Sequence, residues 1–142
     1  MKTKFLKFVT ILFVLVVGFS ACKDTFLFTE YFTFEIDCDW SVYNKVIIIN
    51  SDEELKQYIE CPSSYPTIDF STQTLLLAKS TAPNSAHATV KSFQQTSKNK
   101  YMLYVEVTLE DATALDIWRV ALITKKLSKG SNVGLSVEII QN

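Results

Sequence analysis

The sequence predicts a mainly β (α+β) fold: an antiparallel sheet or sandwich of about seven strands, with one short helix near 52–60. Three observations predict it. Several segments alternate apolar and polar side chains with period two, the repeat of a half-buried strand. Two runs, 46–49 and 75–78, are continuously apolar, as expected of strands covered on both faces. Only one segment carries a strong helix-start signature.

Taken in order, residues 26–36 place Phe26, Phe28, Phe32, Phe34 and Ile36 on one face and Leu27, Thr29, Tyr31, Thr33 and Glu35 on the other, which reads as a strand. Residues 37–41 read as a loop, and 43–49 as a strand ending in the run Val46-Ile47-Ile48-Ile49. Ser51 with Glu54 three residues on forms a capping box, and Asp52 and Glu53 add negative charge where the helix dipole favours it. Leu55, Tyr58 and Ile59 share a face, and Cys61-Pro62 stops the helix. Residues 62–66 are loop and 67–70 extended; 74–79 is a second central strand, with a Pro83-Asn84 turn after it. Strands follow over 86–95, 101–110, 116–124 and 133–140. The connections between the last three are short, so a meander is expected, with the helix at one edge of the sheet.

The amino terminus has a different character. Lys2, Lys4 and Lys7 precede an apolar run over 8–19, broken only by Thr10 and Gly18. A positive region followed by roughly a dozen apolar residues is the pattern of a signal peptide. An uncleaved anchor is the alternative, but a spanning helix needs roughly 20 such residues. Phe19-Ser20-Ala21-Cys22 resembles the lipobox of bacterial lipoproteins: an apolar residue, two small residues, then a cysteine. Phe19 stands where that family usually has leucine. The resemblance implies cleavage before Cys22 and attachment of the chain to a lipid bilayer through acyl groups on that thiol. Lys23-Asp24 faintly resembles the charged signal that sends some Gram-negative lipoproteins to the cell exterior, and an outer-membrane location is expected. The organisation is then a signal peptide over 1–21, a lipid-anchored linker over 22–25 and a single β-rich domain over 26–142.

Removing residues 1–21 leaves 11 basic and 15 acidic residues, a formal charge of −4. An acidic domain without a basic stripe is poorly suited to nucleic acid. Cys38 and Cys61 remain once Cys22 is lipidated, an even pair in an exported chain and so a disulfide candidate, two separate buried thiols being the alternative.

Val46-Ile47-Ile48-Ile49-Asn50-Ser51-Asp52-Glu53-Glu54-Leu55, with Ile68-Asp69-Phe70-Ser71 and Thr74-Leu75-Leu76-Leu77 after it, resembles the carboxy-terminal domain of PrcB-type lipoproteins, subunits of a cell-surface protease complex. The resemblance covers residues 45–80 and, more loosely, 86–124. Family members usually carry a Gly-rich turn after the aliphatic strand; here Thr81-Ala82-Pro83-Asn84-Ser85 has no glycine. The resemblance implies a β-rich accessory domain without catalytic residues of its own.

The chemistry-bearing residues are few. His87 is the only histidine, too little for a zinc site and the sole base open to a hydrolase. Three glycines exclude a phosphate-cradling loop. Glu106 and Glu110, four residues apart on one strand, would stand about 13 Å from each other, too far for a glycosidase pair. Asp37 and Asp39 flank Cys38 but lack a calcium-loop pattern. No metal and no cofactor is expected. Aromatics are enriched at 13%, and Trp40, Tyr65 and Tyr104 are the candidate binding residues.

The expected function is that of a membrane-anchored, non-enzymatic lipoprotein, a protein-interaction or accessory subunit at the bacterial cell envelope. The alternative is a glycan-binding surface lipoprotein. A solvent-facing row of two or three coplanar aromatics would favour the glycan; a flat mixed patch or an exposed strand edge would favour a protein partner.

Overall fold

A computed structural model describes residues 25–26, 29–31, 38–41, 44–111 and 114–141. Its elements run β1 (Thr25–Phe26), β2 (Thr29–Tyr31), β3 (Asp39–Trp40), β4 (Ile47–Ile49), α1 (Asp52–Tyr58), β5 (Ile59–Glu60), β6 (Gln73–Ala82), β7 (Ala86–Ser97), β8 (Lys100–Leu109), β9 (Asp116–Lys125) and β10 (Asn132–Gln141). One sheet has the order β1-β7-β8-β10 and a second the order β2-β9-β6-β4; β3 and β5 form a small third sheet. Among the described residues the chain is mainly β with one short helix.

Side-chain alternation decides which sheet each strand joins. In β8, Tyr101, Leu103, Val105, Val107 and Leu109 are buried, while the residues between them are only half-covered. A strand with one apolar face suits a sheet covered on one side only. In β6 every residue from Thr74 to Lys79 is buried. Leu76 and Ala78 join Trp118, Val120 and Leu122 of β9 in packing against β7 and β8, which forms the core between the two large sheets. Leu75 and Leu77 point the other way, with Ile47, Ile49, Ala121 and Ile123, into a second core under α1, β3, β5 and the 61–70 loop. The β2-β9-β6-β4 sheet is thus the middle of three layers.

The helix begins as its capping box requires. The Glu54 N–H donates to Ser51 Oγ at 3.2 Å. The Glu54 carboxylate accepts from the N–H of Asn50 at 2.7 Å, one residue earlier than the ideal box. It ends at Tyr58 rather than Glu60, because Ile59 and Glu60 turn extended and pair with Trp40 and Asp39. Cys38 and Cys61 form a disulfide immediately beyond, with Cα atoms 4.2 Å apart. Burying Ile59 at 2% exposure beside that bond outweighs two further helical residues.

Three expectations are corrected. The single strand over 26–36 is divided: Thr25–Phe26 pairs with β7 in one sheet, and Thr29–Tyr31 with β9 in the other. The chain changes sheets there and joins the two at one side of the sandwich; 27–28 and 32–36 lie outside the described residues. The last three strands are not a meander. β9 enters the middle sheet because its central run Val120-Ala121-Leu122-Ile123 is apolar on both faces, and β10 returns to pair in parallel with β8, Asn132 opposite Lys100 through Gln141 opposite Leu109. The helix does not sit at a sheet edge but lies across the face of the middle sheet, with Leu55 fully buried against it.

Tight turns fall where side chains tolerate them. The β7–β8 hairpin turns through Lys98 and Asn99, and Asn99 has φ +58°. Asparagine visits this left-handed region more readily than most residues. Next to the turn, Phe93 and Tyr101 stack with ring centroids 5.5 Å apart.

Candidate functional site: the open edge of β10

β10 reads Asn-Val-Gly-Leu-Ser-Val-Glu-Ile-Ile-Gln. One side of it is paired with β8 along its whole length; among the described residues no strand pairs with the other side. An unpaired side presents a row of free N–H and C=O groups, which is a template for another strand. Natural edges are usually guarded by lysine, proline or a bulge. β10 has none of the first two, and its register against β8 runs without a shift.

The direction of the strands shows where the bare part of β10 lies. The Ala86 N–H donates to the Asp116 carboxylate at 3.0 Å, so β7 and β9 start at the same end of the sandwich. The ends of β8, β10 and β6 lie there too, since Leu109 is opposite both Ala86 and Gln141, and Ala82 is opposite Asp116. β4 pairs only with Leu75 to Leu77 of β6, and the residues before it continue beside β6 as far as Lys79, whose carbonyl accepts from the Asn44 N–H at 2.9 Å. Val133 and Leu135, in the first half of β10, pack into the core. Val137 and Ile139 project from the same face, nearer this end, and are 37% and 59% exposed. They form an apolar ledge beside a free backbone edge.

The opposite face of this sheet is polar. Ser92, Tyr104 and Ser136 form one row across β7, β8 and β10, and Glu106 and Glu138 lie side by side in the next. A bulge at Lys91 brings its ammonium to 2.9 Å from Glu106. Gly134 lies under Met102: a Cβ there would stand 2.9 Å from the methionine methyl, so glycine lets the thioether lie across β10. Tyr104 borders a groove of about 330 Å³ with Lys91, Ser92, Gln94, Ser136 and Glu138.

The remaining sequence candidates fall elsewhere. Trp40 is 3% exposed and belongs to the second core, so it is corrected from a binding residue to a packing residue. Tyr65 borders a separate cleft of about 380 Å³ with Asp39, Ser41, Lys56 and Glu60. Its hydroxyl donates to the Ile59 carbonyl at 3.2 Å, and Lys56 lies over its ring. Tyr65 and Tyr104 therefore sit in different layers. His87 is exposed on β7, opposite Thr108. Glu106 is ion-paired and Glu110 lies past the end of β8. Among the described residues no three His, Cys, Asp or Glu side chains are grouped to hold a metal. Cys22 and Asp37 lie outside the described residues.

Asp39 anchors the outer layer. The buried Lys79 ammonium donates to the Asp39 carboxylate at 2.9 Å and to the Trp40 carbonyl at 2.6 Å. The Lys79 hydrogen bond, with help from the Trp40 N–H and the lysine charge, holds the Asp39 carboxyl below its usual 3.8.

Sequence reasoning missed the ledge. The signal was present: 133–139 alternates apolar side chains at odd positions, and no lysine or proline interrupts it. What the sequence lacks is the length of β4, which decides whether those side chains are covered. Comparison with protein-family models, with curated proteins and with solved structures finds no match.

Proposed function

We propose that this chain is a membrane-anchored, non-enzymatic lipoprotein of the bacterial cell envelope, held in the outer membrane by acyl groups on Cys22. Its domain serves as a protein-interaction or accessory subunit and takes an extended segment of an envelope protein onto β10. The observation that carries this reading is the β10 edge, unpaired among the described residues, with Val137 and Ile139 exposed beside it. Strand addition uses such edges: main-chain hydrogen bonds supply affinity, and alternate side chains supply specificity. The basic and apolar pattern of residues 1–22 supports export and anchoring. The resemblance of residues 45–80 to an accessory domain agrees with the absence of a catalytic role in the proposal. The glycan reading has less support, because it asks for a row of coplanar aromatics, whereas Trp40 is buried and Tyr65 and Tyr104 lie in different layers.

The test is a photo-crosslinking residue placed at position 139 in intact cells, with a second at exposed Thr89 as control. One envelope protein captured from 139 and not from 89, and lost in Cys22→Ala cells, is the expected result. Equal capture from both positions, or none from 139, overturns the reading.

A further inference from the structure

The pattern of charge around β10 says more about the occupant of this edge. Glu106 and Glu138 are neighbours on adjacent strands, whose backbones run about 4.8 Å apart. Like charges placed side by side in a sheet are destabilising. Lys91 pairs with Glu106 from the β7 side. On the β10 side, the position that would face Glu138 belongs to whatever strand is added next. The inner face asks for something different: Val137 and Ile139 alternate with Glu138 and are exposed.

Resting on strand addition at β10, we infer that the occupant is an extended segment of another protein, with apolar side chains at alternate positions beside Val137 and Ile139 and a lysine or arginine opposite Glu138 on the other face. A second copy of this chain meets the apolar requirement but not the ionic one. β10 contains no lysine or arginine, so β10 paired with itself brings no cation to Glu138 in any register. The −4 charge of the chain after residue 21 also favours a basic partner over another copy of itself.

The experiment uses the full chain in detergent and fluorescein-labelled ten-residue peptides that alternate valine with threonine. One peptide carries lysine at a central threonine position and the other glutamate. Anisotropy titrations are expected to show the lysine peptide binding about tenfold more tightly. Glu138→Lys should reverse that preference, and Ile139→Lys should abolish binding of both, with melting temperatures matching the parent chain. Equal binding of the two peptides, or a preference unchanged in Glu138→Lys, overturns the ionic assignment and leaves strand addition standing. Binding of neither peptide, while position 139 still crosslinks in cells, overturns the occupant chemistry alone. A dimer in sedimentation that Ile139→Lys dissociates overturns it in favour of a second copy.

Discussion

The two large sheets make opposite use of similar material. The middle sheet, β2-β9-β6-β4, has apolar side chains on both faces and is covered on both, by the partner sheet on one side and by the helix and disulfide layer on the other. The outer sheet, β1-β7-β8-β10, is covered on one face, shows a polar surface on the other and leaves β10 unpaired at its side. A strand enclosed on every side has no surface left to offer a partner. Its residues serve stability, while those on the open face and edge of the outer sheet are free for recognition. Substitutions in the middle sheet should therefore cost stability, and those along β10 should cost binding.

The largest effect expected is at Leu77, fully buried in β6 beneath the helix. Leu77→Ala should lower unfolding free energy by about 2–5 kcal/mol in urea titrations, the range for a large-to-small core change. A loss under about 1 kcal/mol would mean that the outer layer is loosely seated. Next is the disulfide. Replacing both Cys38 and Cys61 with alanine frees a loop of 23 residues and should cost about 3 kcal/mol. The two tryptophans separate the layers, since Trp40 belongs to the outer core and Trp118 to the core between the sheets. Chains carrying Trp40→Phe or Trp118→Phe should report coincident unfolding while the disulfide is intact. In the cysteine-free chain, a Trp40 signal that unfolds first would show the outer layer detaching by itself.

Smaller effects surround Lys79. Lys79→Met keeps the buried stem but removes the donor to the Trp40 carbonyl, which should cost about 1–3 kcal/mol. Asp39 has a folded pKa below its unfolded one, so its contribution is present in full above the unfolded value. It is lost as pH falls from about 4 through the folded value. Parent and Asp39→Asn chains should differ in stability at pH 6 and converge as the pH falls below the folded value. The carboxylate is largely exposed, which keeps the difference small. Smallest of all, Ile139→Lys should change stability by less than about 0.5 kcal/mol, as for an ordinary surface site. A large destabilisation there would place Ile139 with the core and remove the contrast between the sheets.

What could be read from the sequence follows from the range over which each signal acts. The capping box at Ser51 and Glu54 is local, and the helix starts there. Leu75 to Ala78 are apolar without alternation, and β6 is central. The alternation of residues 101–109 announces β8 just as directly. Sheet membership is non-local, and there the reading stops short. Nothing near residue 116 states that β9 leaves the sheet of β8, and the six residues on either side of it permit a meander equally well. Tyr104 borders a groove as an aromatic on a polar strand face should, but Trp40 is taken into the core by the β3–β5 pairing, which joins residues about twenty apart. The ledge depends on how far β4 reaches along β10, a relation between segments some ninety residues apart.

The parallel pairing of β8 with β10 has a kinetic consequence. Each residue of β10 meets a partner 32 positions earlier, and β6 meets β9 across 34 to 52 positions. Among the described strand pairs, only the β7–β8 hairpin closes through a short turn. Topologies dominated by such distant pairings fold in milliseconds to seconds rather than microseconds. During that interval the leucines of β6 and the edge of β8 are both uncovered, and either can associate with another unfolded chain. Refolding yield should therefore fall as protein concentration rises, well before equilibrium stability becomes limiting.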